Sequence, residues 1–271
     1  MNEKELLYMS LGKQIAAARK KKGLSQPQLA EMIGVSPEAI SKWELDAYQP
    51  GRDKLVLLEK VLPLSFFDSD GNPRNMRLFH EDHMSSFLKG KLKACNLHQA
   101  LSALSYAKDK HEGVYRKPKE AKVPYINHPL TMVCHALALG ISDDELIAAL
   151  LLHDVSEDCG IPADELPFPE GVQRLVSLVT KNKAFYNEKA YYAAISGDPK
   201  ACLIKCIDRC NNLSNMSFGF SADKIAEYVK ETETYYPELL RTVKEQPEYN
   251  DAAFLLDYQI KGLLETAKRI R

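Results

Sequence analysis

Hydrophobic positions recur at helical spacing along almost the whole chain, and strand-like alternation is nearly absent. Leu11, Ile15 and Ala18 form one apolar stripe, which Gly23 stops. Ser25 is placed to cap "QPQLAEMIG", with Pro27 in the first turn, where a missing N–H costs nothing, and Gly34 ends it. Ser36 is placed to cap "PEAISKWE", again with proline first. Leu55, Leu58 and Leu62 mark a last amphipathic helix from Arg52. Two short helices joined by a glycine turn predict a helix-turn-helix over residues 9–63. Residues 64–94 change character. "PLSFFDSDGNPRN" is rich in turn residues and "LFHEDHMSSFLKGKLKAC" lacks clean periodicity, which predicts a linker with at most one short helix. His80 and His83 read there as solvated.

From Asn96 the helical pattern returns. "LHQALSALSYAKDKHEG" sets Leu97, Leu101, Leu104 and Ala107 on one face and closes at Gly113. "DDELIAALLLHDVSED" has an acidic cap and an apolar body. "VQRLVSLVTK", "PKACLIKCIDRCNNL", "ADKIAEYVKETETYY" and "DAAFLLDYQIKGLLETAKRI" all fit helices. The predicted class is all-α, with a second helical bundle over residues 95–271.

The 271 residues allow one large or two smaller domains. The formal net charge is −1, so any nucleic-acid binding must come from a local patch. No apolar run approaches bilayer length, and the first ten residues lack a signal-peptide core. Six scattered cysteines suit reduced thiols and a cytoplasmic location. Cys202, Cys206 and Cys210 recur every four residues and read as core thiols on one helix face.

The chemistry concentrates in "LLHDVSED". His153 and Asp154 end an apolar helix, and polar groups buried there need partners. His128 in "PYINHP" and Asp208 in "KCIDRCNN" complete a set of two imidazoles and two carboxylates. Such a nitrogen and oxygen set suits a hard to borderline divalent cation such as Mn²⁺ and balances its charge. A cation there would make hydroxide available at neutral pH.

This set resembles the HD superfamily of metal-dependent phosphohydrolases. In order, "SYAKDKHEGVYRKPKEAKVPYINHP", "AALLLHDVSEDCGI", "LVSLVTK" and "LIKCIDRCNNL" resemble the hydrolase domain of the RelA/SpoT family over about residues 96–240. The resemblance makes the second bundle an HD domain and implies removal of the 3′-pyrophosphate of ppGpp and pppGpp. It implies Mn²⁺ on His128, His153, Asp154 and Asp208, with Glu157 and Asp158 positioning and activating water. It implies Arg116 and Lys117 on the guanine end, Asn212 on the nucleoside, and Tyr125 in the loop before the first ligand. Two departures bear on the base pocket. About three extra residues separate "YRK" from His128, and "NLSN" replaces the usual "NMRT", so that Asn215 stands where threonine is common. With no synthetase half expected after Arg271, the chain resembles the small stand-alone alarmone hydrolases.

"LSQPQLAEMIGVSPEAISKWE" resembles the helix-turn-helix of the Cro and lambda-repressor type. The resemblance implies duplex DNA as partner, with Ser36, Pro37, Glu38 and Lys42 facing bases and Ser25 and Gln26 facing phosphate. Arg19, Lys20, Lys21 and Lys22 form a basic run able to follow the backbone, and Trp43 reads as core. The expected protein is a homodimeric alarmone hydrolase joined to a DNA-binding module. Two alternatives stay open: a phosphohydrolase of another nucleotide such as NADPH, and a nucleotide-sensing transcription regulator with little turnover.

Overall fold

Ser25 and Ser36 cap two successive helices where the sequence places them. The computed structural model describes residues 11–64, 81–116, 123–181, 186–216 and 220–269. They divide between His83 and Met84 into two units. The first unit holds α1 (Leu11–Lys21), α2 (Gln26–Ile33), α3 (Pro37–Glu44) and α4 (Arg52–Val61). Ser25 accepts from the Gln28 amide, and the Gln28 side chain returns the bond to the Ser25 N–H. Ser36 accepts from the Ala39 amide, and each such cap contributes about 1 kcal/mol. Gly34 takes the left-handed conformation, φ 65°, that ends α2. Ile15, Leu29, Ile40, Trp43 and Leu58 fill the core, so Trp43 packs as expected. Gly12 is required because a Cβ there would collide with the Trp43 carbonyl, where α1 meets the end of α3.

The second unit corrects the expected linker. Residues 81–94 form α5 (Glu81–Ala94), and Met84, Leu88 and Leu92 are buried in the second core. The four-residue repeat was masked by the lysines and glycine between those positions. His83 is exposed, and His80 lies outside the described residues.

Next come α6 (His98–Lys110), α7 (Asn127–Ala138), α8 (Asp144–Leu152), α9 (Val155–Cys159) and α10 (Glu170–Val179). After them come α11 (Glu188–Ser196), α12 (Pro199–Asn215), α13 (Ala222–Lys244) and α14 (Asn250–Arg269). Among the described residues there is no strand, only an isolated bridge between Tyr115 and Pro124.

Two helices run through the centre of this unit. Every residue of α8 from Leu146 to Leu152 is buried, as an all-round apolar helix demands, and α6, α7, α10 and α12 surround it. Asp143 caps α8 through the Leu146 amide. Asp144 instead accepts from the Gln99 and Ala100 amides, closing the N-terminus of α6. The second central helix, α12, is buried from Ala201 to Asn211 and packs on α7, α10, α11, α13 and α14. Cys202, Cys206 and Cys210 lie in the core as free thiols, and burial raises all three above the ordinary thiol pKa.

Candidate metal centre and recognition helix

The long apolar segment does not continue through its polar end. Helix α8 stops at Leu152, His153 and Asp154 form a turn, and α9 begins at Val155. That break points His153 and Asp154 toward the first turn of α7 and the middle of α12. Nitrogen or oxygen atoms of His128, His153 and Asp154 all lie within 4.8 Å of one another. Asp208 joins them, its Oδ1 3.2 Å from His128 Nε2. Asp154 Oδ2 lies 2.9 Å from His153 Nε2 and 3.6 Å from His128 Nε2. The four residues expected to hold the cation therefore converge.

Whether they suit a cation is decided by the imidazoles. His128 Nδ1 is 2.7 Å from Asn211 Oδ1, and His153 Nδ1 is 2.9 Å from the Leu150 carbonyl. Both acceptors select the Nδ1–H form, which turns each Nε2 lone pair toward the carboxylates. His153 Nε2 is buried and makes no hydrogen bond of proper geometry. A buried, unpartnered nitrogen facing two carboxylates fits a divalent cation, and these donors suit ions of Mn²⁺ type. Burial opposes charge on His153, but Asp154 and Asp208 outweigh it and lift its pKa to about 9. Burial likewise opposes ionisation of Asp208, but Lys205 and His128 hold its pKa well below the carboxylate range. Asp154 is lowered too, against burial, by His153 and His128. Its side chain keeps 20% exposure against 2% for His128, so the centre opens to solvent on the Asp154 side.

Around this centre the expected substrate residues separate. Arg116 donates to Asn212 Oδ1 at 3.1 Å, and Asn212 donates to Asp208 Oδ1 at 2.6 Å. The two residues are thus brought together beside a ligand carboxylate. Tyr125 donates to Asp154 Oδ2 at 2.5 Å, so its hydroxyl serves the centre itself. Asn215 joins none of these contacts. It is exposed, and its amide donates to the Asn211 carbonyl one turn back. Lys117 lies outside the described residues. Glu157 and Asp158 both sit on α9, one turn beyond Asp154. Partial desolvation, then the Asp154 charge, raises the Asp158 carboxyl above its ordinary pKa.

Sequence reasoning passed over Asn211, Lys205 and His111. Lys205 donates to Asp208 Oδ2 at 2.8 Å from a buried position. His111 is buried, bonds the Ala107 carbonyl and stacks on Tyr125 with ring centroids 5.0 Å apart. The available signal was polar side chains at i, i+3 and i+6 on the apolar helix α12, each of which needs a partner.

In the first unit, Ser25, Ser36, Pro37, Glu38 and Lys42 are all exposed, and α3 carries the last three. One expectation is corrected. Arg19 does not belong to a solvent-facing basic run. It is buried, donates to both Glu44 oxygens at 2.5 and 2.9 Å and to the Leu24 carbonyl, and so ties α1 to α3. Gln26, the first residue of α2, donates its side-chain amide to the same Glu44 at 2.8 Å. A lone carboxylate placed between packed helices needs both donors.

Comparison with known proteins agrees with both units. Residues 15–68 match the helix-turn-helix family. The chain is 34% identical to the guanosine-3′,5′-bis(diphosphate) 3′-pyrophosphohydrolase MESH1 of Xenopus tropicalis, over 47% of this chain and 77% of that protein. The human MESH1 enzyme is 34% identical over 48% of this chain and 78% of its own length. The Aquifex aeolicus guanosine-3′,5′-bis(diphosphate) 3′-pyrophosphohydrolase is 37% identical over 50% of this chain, which spans 20% of that longer protein. The solved structure of a metazoan ortholog of SpoT that hydrolyzes ppGpp shares the fold, with TM-score 0.50, 22% identity, and coverage of 62% of this chain and 94% of that one.

The helical bundle with its paired His–Asp residues, together with these relatives, makes the second unit a hydrolase of the HD class. The chain belongs to the family of MESH1-type guanosine-3′,5′-bis(diphosphate) 3′-pyrophosphohydrolases, with a Cro/repressor-type helix-turn-helix at its N-terminal side.

Proposed function

We propose that the second unit hydrolyses the 3′-pyrophosphate of guanosine alarmones with a divalent cation, Mn²⁺ foremost, held by His128, His153, Asp154 and Asp208. The single observation that carries this reading is the pair of imidazoles whose Nδ1 atoms are already bonded and whose Nε2 atoms face two carboxylates. A cation bound there supplies Lewis acidity and a nucleophilic oxygen at neutral pH. The remaining work falls to side chains of the protein. Tyr125 holds the Asp154 carboxylate through Oδ2, the oxygen that faces both imidazoles. Glu157 and Asp158, one turn beyond Asp154, orient the attacking water and take its proton; burial and the Asp154 charge raise the Asp158 carboxyl, which makes it a better proton acceptor than an ordinary carboxylate. Arg116, with Lys117, meets the guanine end, a planar guanidinium being able to stack on a base. Asn212 meets the nucleoside, and Asn215 stands at the rim of the base pocket. Water adds to phosphorus and the bond to the 3′ oxygen breaks, so ppGpp gives pyrophosphate and guanosine 5′-diphosphate.

The first unit is proposed to bind duplex DNA through the exposed face of α3, with Ser36, Pro37, Glu38 and Lys42 at the bases and Ser25 and Gln26 at phosphate. Its nine Lys and Arg against six Asp and Glu over residues 11–62 give too little charge for strong non-specific attachment. Homodimers reading two half-sites would supply the missing affinity. Six free thiols fit a reducing cytoplasm, and no helix among the described residues is long and apolar enough to cross a membrane.

The test is a panel of ppGpp, pppGpp and NADPH incubated with metal-loaded full-length chain, with products separated by anion exchange. Stoichiometric pyrophosphate and GDP support the reading. Phosphate released from NADPH, with ppGpp untouched, replaces the substrate. Binding without any product makes the unit a sensor. Selection from random duplexes, followed by gel shift of Lys42→Ala, tests the DNA reading, and recovery of no enriched palindrome overturns it.

A further inference from the structure

Lysine is rarely buried, and Lys205 is buried inside α12 three residues before Asp208. Its ammonium donates to Asp208 Oδ2 at 2.8 Å. The other oxygen of that carboxylate, Oδ1, takes the Asn212 amide at 2.6 Å and lies 3.2 Å from His128 Nε2. The two oxygens thus have separate duties: one faces the centre and one is held away from it. We infer that Lys205 is a positioning residue for the hydrolytic centre, which keeps Asp208 a one-oxygen ligand and holds a fixed positive charge behind it. The inference rests on the metal reading above and adds a regulator of the ion's charge to it.

The physical consequence has a sign. Two neutral imidazoles and two carboxylates carry two negative charges, and Lys205 removes one. A divalent ion held by these residues would therefore keep net positive charge, which favours attack on a phosphate ester. The same ammonium repels the ion, so the protein gives up affinity for reactivity. Without the charge, Asp208 is free to turn its second oxygen inward, and the ion is held more tightly and reacts more slowly. A purely structural lysine predicts a different pattern, in which its loss weakens metal binding and turnover together.

The experiment uses the full-length chain, Mn²⁺ alone for calorimetric titration, and ppGpp for turnover. Lys205→Gln keeps a donor and loses the charge, whereas Lys205→Met loses both. The expected result is Mn²⁺ binding about tenfold tighter in both variants, with kcat lower by about tenfold or more. Mn²⁺ affinity unchanged or weakened, or kcat unchanged, overturns the inference. Should the single variants fail to fold, the Asp208→Asn background decides. Adding Lys205→Gln to it must restore part of the lost Mn²⁺ affinity, and equal or weaker binding overturns the inference. A wild-type chain that binds no Mn²⁺ or other divalent ion overturns the metal reading itself, an outcome separate from any difference between the variants.

Discussion

Asn211 Oδ1 sits 2.7 Å from His128 Nδ1, inside the core and 83 positions away in sequence. The amide oxygen accepts the Nδ1 proton and so fixes the tautomer that presents Nε2 to Asp154 and Asp208. Asn211→Leu should therefore lower metal affinity by about 10–100-fold, the usual cost of losing such a partner. Helix content by circular dichroism should stay unchanged while calorimetry reads the loss. Full affinity in a folded variant would mean that packing alone orients the ring.

Metal binding should be proton-linked. In the metal-free chain His153 stays protonated up to about pH 9, because the surrounding carboxylates outweigh burial. A cation needs the neutral ring, so one proton must leave. Apparent affinity should fall about tenfold for each pH unit below that value. Folding stability runs in the opposite sense. A pKa raised from 6.5 gives the metal-free chain stability that is fully present below pH 6.5 and lost as pH rises through about 9. Titrations in buffers of different ionisation enthalpy should count close to one proton released near pH 7.5. A count of zero would mean that the ring is already neutral at that pH in the metal-free chain.

Glu157→Gln should retain the metal and lose turnover. The residue follows Asp154 by one turn, on α9. Loss of acid–base assistance typically costs ~10²–10⁴-fold. Stopped-assay product analysis beside a metal titration separates the two effects. A wild-type rate moves the role to Asp158.

Arg116 should affect substrate binding more than chemistry. Its guanidinium bonds Asn212, which in turn bonds the ligand carboxylate of Asp208. Arg116→Ala should raise KM for ppGpp by about tenfold or more, the loss expected for a hydrogen bond to a charged group, with a smaller change in kcat. Steady-state kinetics decides, since a collapse confined to kcat makes the residue catalytic.

The Arg19–Glu44 pair should govern the stability of the first unit. Arg19→Met leaves a nearly buried carboxylate with the Gln26 amide as its remaining described donor. Breaking a buried pair on one side costs about 3–5 kcal/mol. Hydrogen exchange over residues 11–62 of the full chain should rise sharply, with alarmone hydrolysis unaffected. Unchanged protection would show the pair to be dispensable.

Most helices were legible because their caps and apolar faces are local. Ser25, Ser36, Gly34 and Asp143 act on neighbours within a few residues, and period and punctuation alone locate them. The four-residue centre was legible for a different reason: histidine and aspartate at the ends of strongly apolar segments are costly without a shared partner. The length of helix α5 and its place in the second core were not legible, because its stripe of Met84, Leu88 and Leu92 is interleaved with lysine and glycine.

The sequence by itself determined the all-α class, the helix-turn-helix and the identity of the converging histidines and aspartates, since each depends on residue type and short-range spacing. Only the tertiary structure decided what the second layer does. Arg19 looked like one of four surface cations until α3 brought Glu44 beside it. Asn211 and Lys205 looked like ordinary helix residues until α12 was buried among other helices, where each polar atom must find a partner. Asn211 and Arg19 find partners 83 and 25 residues away, which no local pattern encodes, whereas Lys205 and Asp208 are three residues apart and it is the burial of α12 that makes them partners.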